Sequence, residues 1–506
     1  MRPPSSNTGK GDPLIMKNWS KYQLAVFENI ASGTGHTVVK AVAGSGKTTT
    51  ILEALRHVPA GCRTLFVAFN KAIAEELTLR APKTVEVSTL HSYGLKTITR
   101  SLGRLKIDLR RDDTLLREMY PTLETTKVID KILKELGEEP SRGLIFDLQR
   151  DITKTVSLAK GNLACEEKQI ETIIDDFEIE SPNRPPVPEL RGLEIPEEML
   201  EAFRAAFVKD SLALLLRCAD VSDGTIDFDD MIWLPIVLDL NQTKFDPVFV
   251  DETQDLNAAQ IEMTFRAAKA NGRICAVGDP RQAIYRFRGA DEAAVDNVVK
   301  RLDATILPLS VCYRCCRSVV KSAQQIVPEI ESAPGADEGT VKNVTRDEMM
   351  RDAGPGHFIL SRTNAPLISL CMKFLMEGRP ATIQGRDIGA SLAAFVKKSA
   401  ARSVDELRNY VEEWRDVECK RLSEKRRDTQ SVEDRAECIL ALSDGARTVM
   451  EVVGRIERLF ADKDDSTRIV LSSTHKAKGM ERDTVWMLQW TYGRKPGVEE
   501  ENLVYV

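Results

Sequence analysis

Four short apolar runs, "HTVVKAV" (36–42), "TLFVAF" (64–69), "FDPVFVD" (245–251) and "RICAVGD" (273–279), are bounded by turns and show no apolar–polar alternation. Such runs predict strands buried on both faces, which belong to parallel sheets flanked by helices. Helical patterns follow two of them, at "TTTILEALRHV" and "NKAIAEELTLR", so the chain reads as α/β. A later set, "TILPLS" (305–310), "HFILSR" (357–362), "RIVLSS" (468–473) and "TVWMLQW" (484–490), predicts a second α/β core. Two long stretches lack strand alternation and predict helical insertions: 96–222, broken by "SPNRPPVPELRGLEIP" (181–196), and the charge-dense 391–465, which includes "KRLSEKRRDTQSVEDRAE". The expected organisation is a disordered tail at 1–16, a first domain from 17–95 and 223–304 carrying the insertion 96–222, and a second from 305–390 and 466–506 carrying the insertion 391–465.

A chain of 506 residues exceeds what one core usually serves, and 42% hydrophobic with 29% charged residues supports packed cores rather than a membrane protein. No apolar run approaches the roughly 20 residues that span a bilayer, and the leader "MRPPSSNTGKGDPL" lacks the apolar stretch of a secretory signal. The formal net charge of −6 offers nucleic acid no bulk attraction, so such a partner needs a local groove. The ten cysteines are scattered except for "CYRCC" at Cys312, Cys315 and Cys316. No second Cys or His pair stands at a matching interval, which argues against structural zinc and for free thiols in a reducing cytoplasm, a host's if the chain is phage-encoded.

"AVAGSGKTTT" (41–50) follows a predicted strand and opens a predicted helix, the context of a phosphate-binding loop. Backbone N–H groups of Ala43, Gly44, Ser45 and Gly46 converge on phosphates, Lys47 brings a charge toward the β and γ phosphates, and Thr48, with Thr49 beside it, offers a hydroxyl to Mg2+. "PVFVDETQD" (247–255) places Asp251 to hold Mg2+ through water and Glu252 to polarise the attacking water; an acidic strand cap is the bland alternative. Together the two motifs indicate hydrolysis of ATP. In "AVGDPRQAIYRFRGA", Gln282 lies near the ligand-bearing end of a strand. Just beyond it Tyr285 and Phe287 are either core aromatics or flat faces for unpaired bases, with Arg286 and Arg288 available to phosphates.

From about Tyr22 to the end, these motifs stand in the order that identifies superfamily 1 DNA helicases of the Rep and UvrD type, which the chain resembles; the two insertions match by position alone. That resemblance implies two RecA-like parallel-sheet domains of a P-loop NTPase. "KYQLAVF" is similar to the glutamine motif that reads adenine, through Gln23. "AFNKAIAEEL" and "STLHSYG" resemble the next two motifs and imply single-strand contacts by Phe69, Asn70, Thr89 and His91, although a lone histidine is more often a packed one. In the acidic motif, Gln254 and Asp255 are expected to couple the ATP site to the rest. "LSVCYRCCRS" resembles the fourth motif, with Tyr313 against adenine and Arg314 as an arginine finger; the family often has asparagine at Cys312 and proline at Cys316. "STHKAKGMERDTV" resembles the fifth: Thr474 and His475 approach DNA, Gly479 the phosphates and Glu481 the ribose.

"EEENLVYV" resembles the start of a sixth motif whose further arginine finger would lie beyond Val506, so either the chain is a fragment or Arg314 works alone. The second insertion, about 75 residues, is short for this branch and similar to the reduced form in phage or F-box DNA helicases. The resemblance implies an ATP-driven helicase or translocase on single-stranded DNA and single/double-strand junctions, moving 3′ to 5′, with replication or repair proteins as partners. The rival readings are an ATP-gated DNA clamp and a translocase that strips proteins with little unwinding.

Overall fold

The computed structural model describes residues 19–137, 146–183, 185, 195–283, 294–424, 429–460, 467–492 and 498–505. The expected tail, most of 181–196 and the "IYRFRGA" stretch lie outside them. The chain divides into two compact units, Met1–Cys315 with Glu329–Ala336, and Cys316–Pro328 with Asp337–Val506.

The first unit is built on six strands: β1 (Thr37–Ala41), β2 (Thr64–Ala68), β3 (Val85–Thr89), β6 (Phe245–Val250), β7 (Ala268–Gly278) and β8 (Thr305–Leu309), with the two-residue strands β4 (Lys106–Ile107) and β5 (Thr225–Ile226) pairing separately. The order is β3-β2-β6-β7-β1-β8 and every pairing is parallel. β2 is buried at all five positions and the rest of the sheet centre nearly so, matching the unbroken apolar runs. Phe66, Val38 and Phe249 are fully enclosed, and each such side chain contributes roughly 1.5–3 kcal/mol by leaving water.

β8 corrects the expected domain boundary. "TILPLS" joins the first sheet, with Thr37–Ala41 in register against Thr305–Leu309, rather than opening the second. It is an edge strand with three exposed positions and Pro308 inside it, and a proline that cannot donate to a ladder is tolerated at an edge. The chain stays with this unit through β9 (Val311–Cys312), and returns to it at β10 (Glu331–Ser332), which pairs with β9.

The described residues of 96–222 are mostly helical and pack a core of their own, from Ile98, Leu116, Ile132, Ile152, Phe203 and Phe207 to Trp233. That core therefore runs past residue 222 into the helix Asp230–Val237. Inside it Lys160 Nζ, fully buried, lies 2.6–3.0 Å from carboxylates of Asp112, Asp227 and Asp230, and Arg111 donates to Asp230 at 2.8 Å.

The second unit has strands β11 (Phe358–Ser361), β12 (Ala381–Ile383), β13 (Ile469–Ser473) and β14 (Val485–Met487) in the order β12-β13-β11-β14, again all parallel. The helices Arg386–Lys398, Val404–Glu424, Gln430–Ser443 and Val449–Leu459 follow β12, the first beginning ahead of residue 391. They share one core with the sheet: Leu392, Val411, Ile439 and Ile456 pack with Ile359 and Leu471. Among the described residues no helix is long and apolar enough to cross a membrane.

Candidate nucleotide and strand-binding site

Because all six strands of the first sheet run the same way, their carboxyl ends meet at one edge, where open α/β sheets bind ligands. The sequence motifs follow those ends in turn: 42–47 after β1, Phe69 and Asn70 after β2, Thr89 closing β3, Asp251 and Glu252 after β6, Gln282 after β7, and Tyr313 and Arg314 after β8 and β9.

After β1 the chain turns through Gly44 and Gly46, both at positive φ (68° and 74°), into the helix Lys47–Ala54, which has no side-chain cap. Its first N–H groups are left for an anion. Ala43, Thr48 and Thr49 are half-buried there, and the buried Ser45 Oγ has no hydrogen-bond partner among the described residues. Lys47 Nζ donates to Glu252 Oε2 at 2.9 Å. Burial by itself would lower the Lys47 pKa, but Glu252, helped by Asp251 and Asp279, outweighs it and holds the ammonium above its ordinary value. The Asp251 carboxyl is pushed up to about 7, by burial first and then by the charge of Glu252, with Lys47 opposing.

Glu252 is one of few non-glycine residues at positive φ (51°), a conformation costing of order 1–3 kcal/mol that tends to persist where function requires it. It is fixed there by Lys47, by Gln254 Nε2 at 2.6 Å, and by its own N–H donating to Asp251 Oδ1 at 2.9 Å. Gln254 also accepts from the Asp279 N–H at 3.0 Å, and Asp279 Oδ2 accepts from Gln282 Nε2 at 2.9 Å. A continuous polar chain thus runs Lys47–Glu252–Gln254–Asp279–Gln282. Gly278 makes room for it, since a Cβ there would come within 2.6 Å of Gln254 Oε1.

Gln23 is buried, with its amide committed to this neighbourhood: Nε2 donates to Thr50 Oγ1 at 3.0 Å, Thr50 donates on to the Gly46 carbonyl at 2.9 Å, and Oε1 accepts from the Tyr313 hydroxyl at 3.2 Å. The expectation drew Arg314 from the second domain; it packs instead with the first unit. The Tyr313 N–H donates to the Gly44 carbonyl at 2.8 Å, and a Cβ on Gly44 would lie 2.7 Å from Arg314 Cβ. Both side chains are exposed.

Of the residues expected to touch DNA, Phe69 is 44% exposed at the end of β2, while Asn70 and Thr89 cap the helices that follow, accepting from the N–H groups of Ile73 and Ser92. His91 stacks on Phe228, ring centroids 3.8 Å apart, and burial lowers its pKa to about 4. Phe228, half exposed, was not singled out from sequence; its signal was an apolar residue between Asp227 and the Asp229–Asp230 pair. Tyr285, Phe287 and Arg288 lie outside the described residues.

In the second unit Thr474 is buried, its hydroxyl 2.5 Å from the Tyr492 hydroxyl and 3.4 Å from the Ser361 carbonyl. His475 is half-buried, its pKa lowered to about 4 by burial and then by Arg362 and Lys478. Gly479 (φ 84°) and Glu481 are exposed.

The family described as UvrD/REP helicase N-terminal domain matches residues 25–303. The chain is similar to ATP-dependent DNA helicase PcrA of Bacillus subtilis (strain 168), 27% identical over 322 residues that make up 59% of this chain and 38% of that protein. It is 25% identical to ATP-dependent DNA helicase Rep of Escherichia coli (strain K12) over 325 residues, 58% of this chain and 41% of that one. Over 498 residues it is 24% identical to F-box DNA helicase protein 1 of Schizosaccharomyces pombe, 88% of this chain and 50% of that protein. The chain thus spans half the length, or less, of these curated relatives.

Proposed function

Since the chain belongs to the UvrD/REP helicase family, we propose that it is an ATP-dependent DNA helicase or translocase on single-stranded DNA, moving 3′ to 5′. The observation that carries the reading is the 2.9 Å pair between Lys47 and Glu252 at an uncapped helix start, wired through Gln254 and Asp279 to Gln282.

The pair is a resting state. A triphosphate gives Lys47 a stronger anionic partner and releases Glu252, whose carboxylate then orients and polarises the attacking water. The site suits a divalent cation, because the buried Asp251 suffers repulsion from Glu252 that a bound cation relieves; Asp251 and Thr48 would hold it. Mg2+ supplies charge neutralisation to the β and γ phosphates when bound. Gln282 senses the γ phosphate, Gln23 and Tyr313 border the adenine, and Arg314 stabilises charge on the transferring group; the family resemblance assigns Gly479 to phosphates and Glu481 to a ribose. Release of Glu252 also frees Gln254, and the change passes through Asp279 and Gln282 toward Tyr285 and Phe287, which grip bases. Phe69, Asn70, Thr89, His91 and Phe228 are further strand contacts on the first unit; the resemblance assigns the same role to Arg288, Thr474 and His475.

Steady-state ATP hydrolysis with and without single-stranded DNA, beside strand displacement on a tailed duplex, tests this. Turnover stimulated by DNA and abolished by Lys47→Ala, with strand binding partly kept, is expected. Turnover indifferent to DNA, or equal turnover in Lys47→Ala, refutes it.

A further inference from the structure

Cys312 and Cys315 bracket Tyr313 and Arg314, the two residues assigned above to nucleotide. Cys312 is buried and its backbone is anchored: it closes β9 opposite Ser332, and its carbonyl accepts from the Ala333 N–H at 3.1 Å. Its sulfur lies against the phosphate loop, where a Cβ on Gly44 would come within 2.8 Å of it. The Cys315 thiol donates a hydrogen bond to the Cys312 sulfur, and the N–H groups of Cys315 and Arg314 donate to it as well. Those donors, the Cys315 thiol foremost, outweigh burial and lower the Cys312 pKa to about 6. Cys315 is half-buried and more accessible. Cys316 has a separate partner, Ser318 Oγ at 3.5 Å. None of the ten cysteines is in a disulfide.

We propose that Cys312 and Cys315 are a dithiol that a small-molecule disulfide oxidises to an intramolecular disulfide, and that closing it reshapes the Tyr313–Arg314 turn against the phosphate loop and weakens nucleotide binding. Cys315, deprotonated, attacks one sulfur of the disulfide RSSR; Cys315–S–S–R forms and RS− leaves, taking up the proton that Cys315 lost. The Cys312 thiolate then attacks the Cys315 sulfur and expels the second RS−, which takes up the proton Cys312 gave to solvent. Two protein thiols are oxidised and RSSR is reduced to two RSH. Bond formation draws the two sulfurs well inside hydrogen-bonding distance. Cys312 is held by β10, so the intervening turn must move, and with it the Tyr313 N–H that anchors the Gly44 carbonyl at 2.8 Å. The effect on nucleotide rests on the function proposed above; the dithiol itself does not.

The full chain is compared after dithiothreitol and after equilibration with oxidised glutathione, by non-reducing peptide mapping and by titration with a fluorescent ATP analogue. A Cys312–Cys315 cross-link is expected, with nucleotide affinity falling about tenfold, a change of about 1.4 kcal/mol, and recovering on reduction. Cys315→Ser and Cys312→Ser should each hold the affinity of their reduced form in the presence of oxidant, and Cys316→Ser should still switch. A map showing only glutathione adducts, a bridge to Cys316 or a bridge between chains overturns the dithiol. A Cys312–Cys315 bridge with unchanged affinity overturns the gating. A reduced chain that binds no nucleotide counts against the proposed function, while the map still decides the dithiol.

Discussion

Three glycines at nearly the same positive φ, one ahead of β1 and two in the phosphate loop that follows it, form a graded series. Gly35 (70°) has open space where a Cβ would go, Gly46 (74°) has Tyr313 Cδ2 at 4.0 Å, and Gly44 (68°) has Arg314 Cβ at 2.7 Å and Cys312 Sγ at 2.8 Å. Alanine at any of them carries left-handed strain of about 1–2 kcal/mol, offset by about 0.4–1 kcal/mol from a stiffer unfolded chain. Gly35→Ala should therefore lose roughly 1 kcal/mol or less, and Gly46→Ala much the same. Gly44→Ala adds overpacking of about 1–3 kcal/mol, chiefly against Arg314 Cβ, which is fixed to the backbone and cannot swing aside as a side-chain tip could. The 313–314 turn must yield. Denaturant melts of the three variants, paired with titration of a fluorescent ATP analogue, separate the terms. Gly44→Ala should be the least stable and should bind nucleotide at least about tenfold more weakly, with Gly35→Ala close to wild type in binding. If Gly44→Ala melts and binds like Gly35→Ala, the packing of the arginine-bearing turn on the phosphate loop is wrong.

The Asp251 carboxyl, raised from 3.8 to about 7, binds its proton more tightly folded than unfolded, so the stability it contributes is complete below about pH 4 and is lost as pH rises toward and through 7. Thermal melts between pH 5 and 8 should show a smaller fall in Asp251→Asn than in wild type, and an equal fall would contradict the shift. Asp230→Ala strips a fully buried partner from both Lys160 and Arg111 and should cost about 3–5 kcal/mol in urea unfolding; a loss under 1 kcal/mol would mean that water reaches these cations. Phe69→Ala, at a side chain 44% exposed, should weaken binding of an oligonucleotide by about 1–3 kcal/mol with little change in melting temperature. A large drop in melting temperature with unchanged binding would place Phe69 in the packing instead.

The phosphate loop, the acidic pair and the strands that carry them were legible because each is written in adjacent residues: an apolar run, then a turn, then a helix opening on Lys47. Period and spacing report the local backbone, and parallel buried strands leave an unbroken signature. What escaped depended on partners far along the chain. "TILPLS" looks the same in either core; it joins the first because Thr37–Ala41 has a free flank beside it, and Pro308 was the one local hint that this strand lies at an edge. Val85–Thr89 was read only as a motif, its strand hidden by polar residues, and Ala381–Ile383 is too short to show a period.

A glycine-rich turn opening a helix on Lys47, beside paired carboxylates, was therefore readable from the order of residues alone. Tertiary structure decided which of them meet: Gln254 linking Glu252 to Asp279, Arg314 and Cys312 resting on Gly44, and the helices of 386–459 completing the second sheet's core. The physical reason is that a contact between distant segments is chosen by which buried faces and unpaired polar groups satisfy one another on folding, and no window of neighbouring residues contains that choice.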